Sequence, residues 1–306
     1  MASTLGPRPE GRVPQLVSVI IPVRDGAATL VEQLDALRSQ DHDGPWELVL
    51  ADNGSTDATV SMFRDVVGRA ERAGTAPWTD ARVVVAADRR GPAHARNAGA
   101  ADARGDLWCF CDADDVVDRA WLGELVRVAA DHHLVAGRLD LDALNAPRTR
   151  SWRPTPATAS RTAAAFVPSG NMAIWAETFV ALGGFTEDLR TNEDVELSER
   201  ARDEGAAFGF APDAVVHYRL RSTLRGVAGQ SYRNGRSVVQ TAAGRGSVPP
   251  VRISAVGRRL GWSIVRLPYL VSADRRGLWV RRTAEVAGTG VELARWSLAH
   301  RTRDRR

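Results

Sequence analysis

The 306 residues are 44% apolar and 25% charged, a balance that excludes a disordered polar chain and leaves enough apolar mass for a full core. All 41 basic side chains are arginine, which excludes any mechanism built on a catalytic lysine. The net charge of +4 is unevenly spread: residues 246–306 carry 13 Arg against 4 acids, whereas residues 1–245 carry 28 against 33, so the tail calls for an anionic partner, and nucleic acid is not expected to be that partner.

Residues 1–16 have no apolar signal core and read as a flexible leader. Val17–Val23 is a β-branched run and predicts a buried strand. From Gly26 a helical pattern follows, with Leu30, Leu34 and Leu37 on one face. Trp46–Ala51 predicts a second strand, Asp52-Asn53-Gly54-Ser55 a turn, and Ser55 or Thr56 a cap for a helix running to about Arg69. Arg82–Ala86 predicts a third strand, and Pro92 suits the first turn of the next helix. Leu107–Cys111 is the fourth strand. Its two cysteines are the only ones in the chain; they stand too close to pair, which fits a reducing, cytoplasmic compartment. The alternation predicts an α/β fold around a mainly parallel sheet, with acids just past the strand ends at Asp25, Asp52, Asp88 and Asp112.

Beyond about residue 134 the rhythm changes. Leu134–Leu139 predicts a strand, and residues 143–162 a long loop of the kind that covers functional sites. Gly170–Trp175, a short helix, Gly183-Gly184-Phe185, a helix from about Thr191 and a last strand at Val215–Tyr218 follow. Past Arg221 the pattern is helical and basic. No run of about 18 uncharged apolar residues exists, so no membrane span is expected.

Trp108–Asp115 is the most telling stretch, an apolar run that ends in Asp112-Ala113-Asp114-Asp115. Carboxylates at i and i+2 of an extended segment face the same way, and acids crowded so closely call for a hard cation, Mg²⁺ or Mn²⁺. The free N–H groups at Gly91–Asn97, with Arg96, suit a diphosphate, although in isolation Arg96 reads as a surface residue. Thr191 with Asp194 reads as a capping box; alternatively, Asp194 is a general base kept ionised by the helix N-terminus. His217 reads as a core histidine or a metal ligand.

In order and spacing, Val17–Arg24 with Ile21-Pro22, Asp52–Asp57, Gly91–Asn97, Asp112–Asp115, Gly183-Gly184-Phe185 and Asn192-Glu193-Asp194 resemble the family 2 inverting glycosyltransferases over residues 17–220. The resemblance implies a single nucleotide-diphosphosugar transferase domain of GT-A type over 17–220, followed by a basic helical region, 221–306. It implies a metal-dependent, one-step inverting transfer of a sugar from a nucleotide-diphosphate sugar to a carbohydrate or lipid-linked hydroxyl, in cell-envelope, exopolysaccharide or glycolipid synthesis. UDP is the default nucleotide, with GDP and dTDP as alternatives. It places Pro22, Asp25, Asp52, Asn53, Arg96, Asp112, Ala113, Asp114 and Glu193 around the donor, Asp114 and His217 at the metal, and Asp194 as the base. Gln230-Ser231-Tyr232-Arg233 is followed by Asn234, not by the Trp that marks processive synthases, so one sugar per encounter is expected. Asn53 stands where the family usually has a second acid.

A haloacid-dehalogenase-like phosphatase, with Asp112 as nucleophile and Asp114 as acid/base, also matches Asp112-x-Asp114. That family places the motif on its first strand and needs a lysine, which this chain lacks. A non-catalytic sugar-nucleotide binder and a nucleotidyltransferase are further alternatives. For residues 251–306, attachment to an anionic membrane on its inner face is the functional expectation, with Trp262, Tyr269 and Trp279 at the interface; a solvated helical appendage is the plainer one.

Overall fold

Val17–Val23 (β1) and Trp46–Asp52 (β2) bury almost every residue on both faces, which a strand does when helices cover both sides of its sheet. The computed structural model, which describes residues 5–152, 166–189, 191–244 and 253–303, shows such a sheet. Its strands are β1, β2, Asp80–Val85 (β3), Leu107–Cys111 (β4), Val116–Val117 (β5), Leu134–Asp140 (β6), Asn171–Trp175 (β7) and Phe208–His217 (β8), in the order β3-β2-β1-β4-β7-β6-β8-β5. β1 pairs in parallel with β2 and β4, β2 with β3, and β6 with β8; β7 and β5 run against their neighbours.

Helices Leu30–Arg38 (α1), Thr59–Arg72 (α2) and Trp121–Ala129 (α4) supply Leu34, Leu37, Phe63 and Trp121 to one face, where they meet Val19, Ile21, Leu48 and Leu50. Pro92–Asp102 (α3) and two later helices, Ala176–Ala181 (α6) and Glu193–Asp203 (α7), supply Ala93, Ala100, Phe179 and Leu197 to the other, against Ile20, Val49, Phe110 and Ile174. Each fully buried aliphatic side chain there contributes roughly 1.5–3 kcal/mol. The chain runs outward from β1 to β3, then returns through α3 to place β4 on the other side of β1. The tips of β1 and β4 therefore flank a topological switch point, where open α/β sheets bind ligands.

Contacts divide the chain into two compact units, Met1–Ala143 with Ala157–Glu187 and Glu193–Arg219, and Leu144–Pro156 with Asp188–Asn192 and Leu220–Arg306. The sheet belongs to the first. The second is built on Leu224–Gly244 (α8), Ile253–Val265 (α9), a 3-10 turn at Leu267–Val271 and Arg276–Arg303 (α10), with the short Pro147–Ser151 (α5). α8 and α10 touch backbone to backbone. A Cβ on Gly235 would lie 2.0 Å from the Glu285 carbonyl oxygen, and one on Gly288 would lie 2.1 Å from that of Tyr232. Among the described residues, no helix is long and apolar enough to cross a membrane.

Several expectations change. Residues 5–16 are tethered, not loose: Arg8 donates to the Asp131 carbonyl, Arg12 pairs with Glu177 and lies 3.8 Å over the Trp175 ring, and Leu5 is buried. α2 begins at Thr59, not behind Ser55 or Thr56; the Asp57 carboxylate accepts from the Thr59 N–H, while Ser55 and Thr56 bond to Asp25. α4 and β5 were not anticipated, β8 starts at Phe208, and the 143–162 loop contains α5; its remainder from 153 lies outside the described residues.

Candidate active site

The chain leaves β4 at Cys111 and turns through Asp112–Asp115 into β5. Gln33 of α1, fully buried, pins both ends of this turn: its Nε2 donates to the Asp112 carbonyl at 3.1 Å, and its Oε1 accepts from the Val117 N–H at 3.0 Å. The Thr29 hydroxyl donates to the Ala113 carbonyl. The acidic turn is thus held by side chains at and just before α1.

Carboxylate oxygens of Asp112, Asp114 and Asp115 lie within 4.8 Å of one another. Asp115 is 1% exposed; burial, and then the negative charge of Asp112, push its carboxyl up to about 8. One of its oxygens accepts the Arg219 N–H at 2.7 Å; the other is buried without a partner. Arg219 also donates through Nε to the Asp114 carbonyl. Three hard oxygen donors with an orphaned buried oxygen among them fit a hard divalent cation, which takes all-oxygen ligand sets.

Arg96, 4% exposed, links this turn to α7. Nη2 donates to Asp112 at 2.6 Å and Nη1 to Glu193 at 2.8 Å. Burial opposes its charge, but Asp112 and Glu193 on either side hold the guanidinium firmly protonated. It is therefore not the surface residue of the plain reading. Beside Glu193, Asp194 accepts from the Ser169 N–H at 3.2 Å and the Val195 N–H at 2.8 Å. Burial and then Glu193 raise its carboxyl to about 6, against the opposing pull of the Ser169 amide and Arg96. The helix N-terminus favours the ionised form, but desolvation and a like charge raise the carboxyl above its ordinary value. The chain approaches Asp112 closely at Gly170, where a Cβ would lie 2.7 Å from the Asp112 carboxylate.

The tips of β1 and β2 form a second group. Asp25, in the left-handed region at φ 51°, which Asp tolerates, accepts from the Thr56 amide and hydroxyl; the amide bond chiefly holds its carboxyl below the usual range. Asp52 accepts the Ser55 N–H. Pro22 lies opposite Ala51 in register. The Asn53 amide is fully engaged: it donates to the Ala86 and Arg89 carbonyls and accepts the Gly91 N–H, fixing the loop into α3. The Gly26 carbonyl, next to Asp25, accepts the Thr29 N–H, and the Thr29 hydroxyl donates to the Ala113 carbonyl, which joins this group to the acidic turn.

Gly184 (φ 71°) lies on α3, where a Cβ would come within 2.9 Å of Asn97; Asn97 pairs with both the N–H and the carbonyl of Phe185. His217 goes elsewhere than expected. It faces Val116 across the β5–β8 pair, and its ring lies 2.8 Å from Asp140 and 3.8 Å from Asp118, apart from the three carboxylates. Asp88 likewise leaves the edge group to bond His94. The sequence did not point to Gln33 or Ser169. Arg219 stands only two residues past His217, at the end of a strand, a position that could have drawn notice.

The sequence profile described as "Glycosyl transferase family 2" matches residues 18–171, which carry β1 to β6 and the acidic turn. The chain belongs to glycosyl transferase family 2. The phosphatase alternative falls with that match, and with Asp112 tied to Arg96 on the fourth strand. Among relatives, the Mycobacterium tuberculosis pre-mycofactocin glycosyltransferase is 28% identical over 310 residues, covering 94% of this chain and 62% of that protein. The chain therefore spans about three fifths of that relative's length. Among solved structures, the mannosyltransferase PcManGT from Pyrobaculum calidifontis, in complex with GDP-Man and Mn²⁺, superposes with a TM-score of 0.63 at 21% identity, over 94% of this chain and 90% of its own. S. aureus TarS 1-349 in complex with UDP gives 0.52 at 16%, over 92% and 91%. The shared fold is the GT-A type.

Proposed function

We propose that this glycosyltransferase moves one sugar per encounter from a nucleotide-diphosphate sugar to a hydroxyl of a carbohydrate or lipid-linked acceptor, with inversion, in the making of envelope polysaccharide or glycolipid. The observation that carries the reading is the buried Arg96 bridge, which ties strand-tip Asp112 to Glu193 and so to its neighbour Asp194. Donor-side carboxylates and a candidate base are thereby held in one rigid frame.

Asp25 and Asp52, beside Pro22 and Asn53, offer acceptors for the base and ribose of the nucleotide. Neighbours of the same fold bind GDP-Man with Mn²⁺ and UDP, which supports a nucleotide-sugar donor and leaves UDP, GDP and dTDP as the candidates. Asp112, Asp114 and Asp115 would hold Mg²⁺ or Mn²⁺, and when bound this ion supplies charge stabilisation for a leaving diphosphate. Ala113, between the two first acids, contributes backbone to that wall. Arg96 orients Asp112 and Glu193.

Asp194 is the base. The acceptor oxygen forms its bond to the anomeric carbon as the bond from that carbon to the diphosphate oxygen breaks. The hydroxyl proton passes to Asp194, and the nucleoside diphosphate carries away the electron pair. A carboxyl raised to about 6 is still ionised at neutral pH and takes a proton more readily than an ordinary one.

The test is nucleoside diphosphate release from a panel of UDP-, GDP- and dTDP-sugars with Mn²⁺. Asp194→Asn should retain nucleotide binding and lose turnover by about 10²–10⁴-fold. Asp114→Asn should lose the metal-dependent part of binding. Parental turnover by Asp194→Asn would remove the base from the scheme.

A further inference from the structure

The large apolar side chains that the described residues leave in water are concentrated in one stretch of the second unit. Leu260, Ile264, Val265, Leu267, Leu270 and Val271 are 40 to 92% exposed, whereas the others, such as Val13, Val85 and Val180, stand singly. Their placement follows from the 3.6-residue repeat of α9. Val256 and Ser263 face α10: Val256 lies against Gly290, the Ser263 hydroxyl meets Thr283, and Trp279 donates to the Ser263 carbonyl. Trp279 is thus a strut between helices rather than an interface residue. Leu260 and Ile264 then follow that contact round the helix, Val265 stands further out beside Arg258 and Trp262, and the 3-10 turn that comes next adds Leu267, Leu270 and Val271.

Guanidiniums border this apolar surface on aromatic supports. Trp262 and Tyr269 meet edge to face at 6.0 Å. Arg266 lies 5.1 Å over Trp262 and 5.8 Å over Tyr269, Arg282 4.8 Å over Trp262, and Arg275 5.3 Å over Tyr269. Stacking orders these side chains without neutralising them, and the 246–306 segment carries a large excess of Arg over acid. An aliphatic surface rimmed by ordered guanidiniums, with no ion pair to an acid among the described residues, matches one kind of partner. We infer that α9 and the 3-10 turn seat on the surface of a lipid bilayer with anionic headgroups, the six aliphatic side chains entering the acyl boundary and Arg266, Arg275 and Arg282 taking phosphate oxygens. A second copy of this chain is a poor occupant, because an apolar contact between two such faces would bring like-charged rims together. The inference concerns the second unit alone and does not depend on the donor scheme.

The test is co-sedimentation of the full chain with phosphatidylcholine vesicles, with and without phosphatidylglycerol, at low and high salt. Partitioning onto the anionic vesicles should exceed that onto neutral ones and fall about tenfold or more as salt screens the headgroups. Arg275→Gln with Arg282→Gln should weaken it roughly thirtyfold. Ile264→Glu with Val271→Glu, at positions 68% and 92% exposed, should abolish sedimentation while melting temperature and nucleoside diphosphate release in solution stay unchanged. Equal partitioning onto both vesicle types, or full binding by the double Glu variant, would overturn the inference. So would a dimer in solution that the double Glu variant dissolves, without any vesicle binding.

Discussion

Asp194 shows how two environmental effects on one carboxyl compete. Its place in the first turn of α7 and the nearby Arg96 favour the charged form, but burial and Glu193 win and set the carboxyl at about 6. If this group takes the acceptor's proton, turnover should be full above that value and fall tenfold per pH unit below it, since only the ionised form accepts. A kcat profile that stays flat down to the ordinary carboxylate range would contradict this role. The same shift bears on stability with a definite sign. An acid whose folded pKa is raised binds its proton more tightly when folded, so the penalty for ionising it is absent below its ordinary value of 3.8 and complete above about 6. Asp194→Asn should therefore be more stable at neutral pH, by up to about 3 kcal/mol, as thermal melts at pH 5 and pH 8 of about equal ionic strength would show. Loss of turnover with gain of stability is the mark of a residue kept for chemistry.

Among the elements, α1 does more than cover the sheet. Leu30, Leu34 and Leu37 are its apolar stripe, yet the stripe is interrupted by Gln33, fully buried and bonded to the two backbone groups that bracket the acidic turn. Gln33→Leu should leave the Asp112 carbonyl and the Val117 N–H buried and unpaired, costing about 2–4 kcal/mol in urea unfolding, with a larger proportional loss of metal-dependent nucleotide binding. β1, β2, β4 and α1 were legible because unbroken β-branched or apolar runs and a 3.6-residue stripe are strong local signals. β5 is two residues long, too short to leave a pattern. The first half of β8 contains Gly209 and Pro212, which argue against a strand in sequence but are tolerated at its irregular pairing with β6. α4 was there to be read: Trp121, Leu122, Leu125 and Ala129 keep helical spacing and are all buried.

At the scale of the whole chain, the sequence showed which residue types crowd the strand tips but not which would meet. Asp112–Asp115 stood out because acids abruptly end an apolar strand. The Arg96 bridge to Glu193 did not, because it joins residues 97 positions apart and nothing local distinguishes a buried arginine from an exposed one. The surroundings of His217 were not legible for the converse reason. Its residue type suits a metal, but the antiparallel β5–β8 register turns it toward Asp140, whose carboxyl, though burial works the other way, is held below the usual range by hydrogen bonds led by the His217 ring.

The placement of Cys109 and Cys111 has a practical use. Both are wholly buried on β4, flanked by β1 and β7, and burial pushes both thiols far from the reactive thiolate. No other sulfhydryl exists in the chain. A thiol-specific dye can reach them only when the middle strands part, so its rate of uptake under native conditions is a built-in clock for opening of the sheet. Because β4 ends at the acidic turn, a donor nucleotide that grips that turn should slow the clock in proportion to its occupancy. Affinity could then be measured without any acceptor being known.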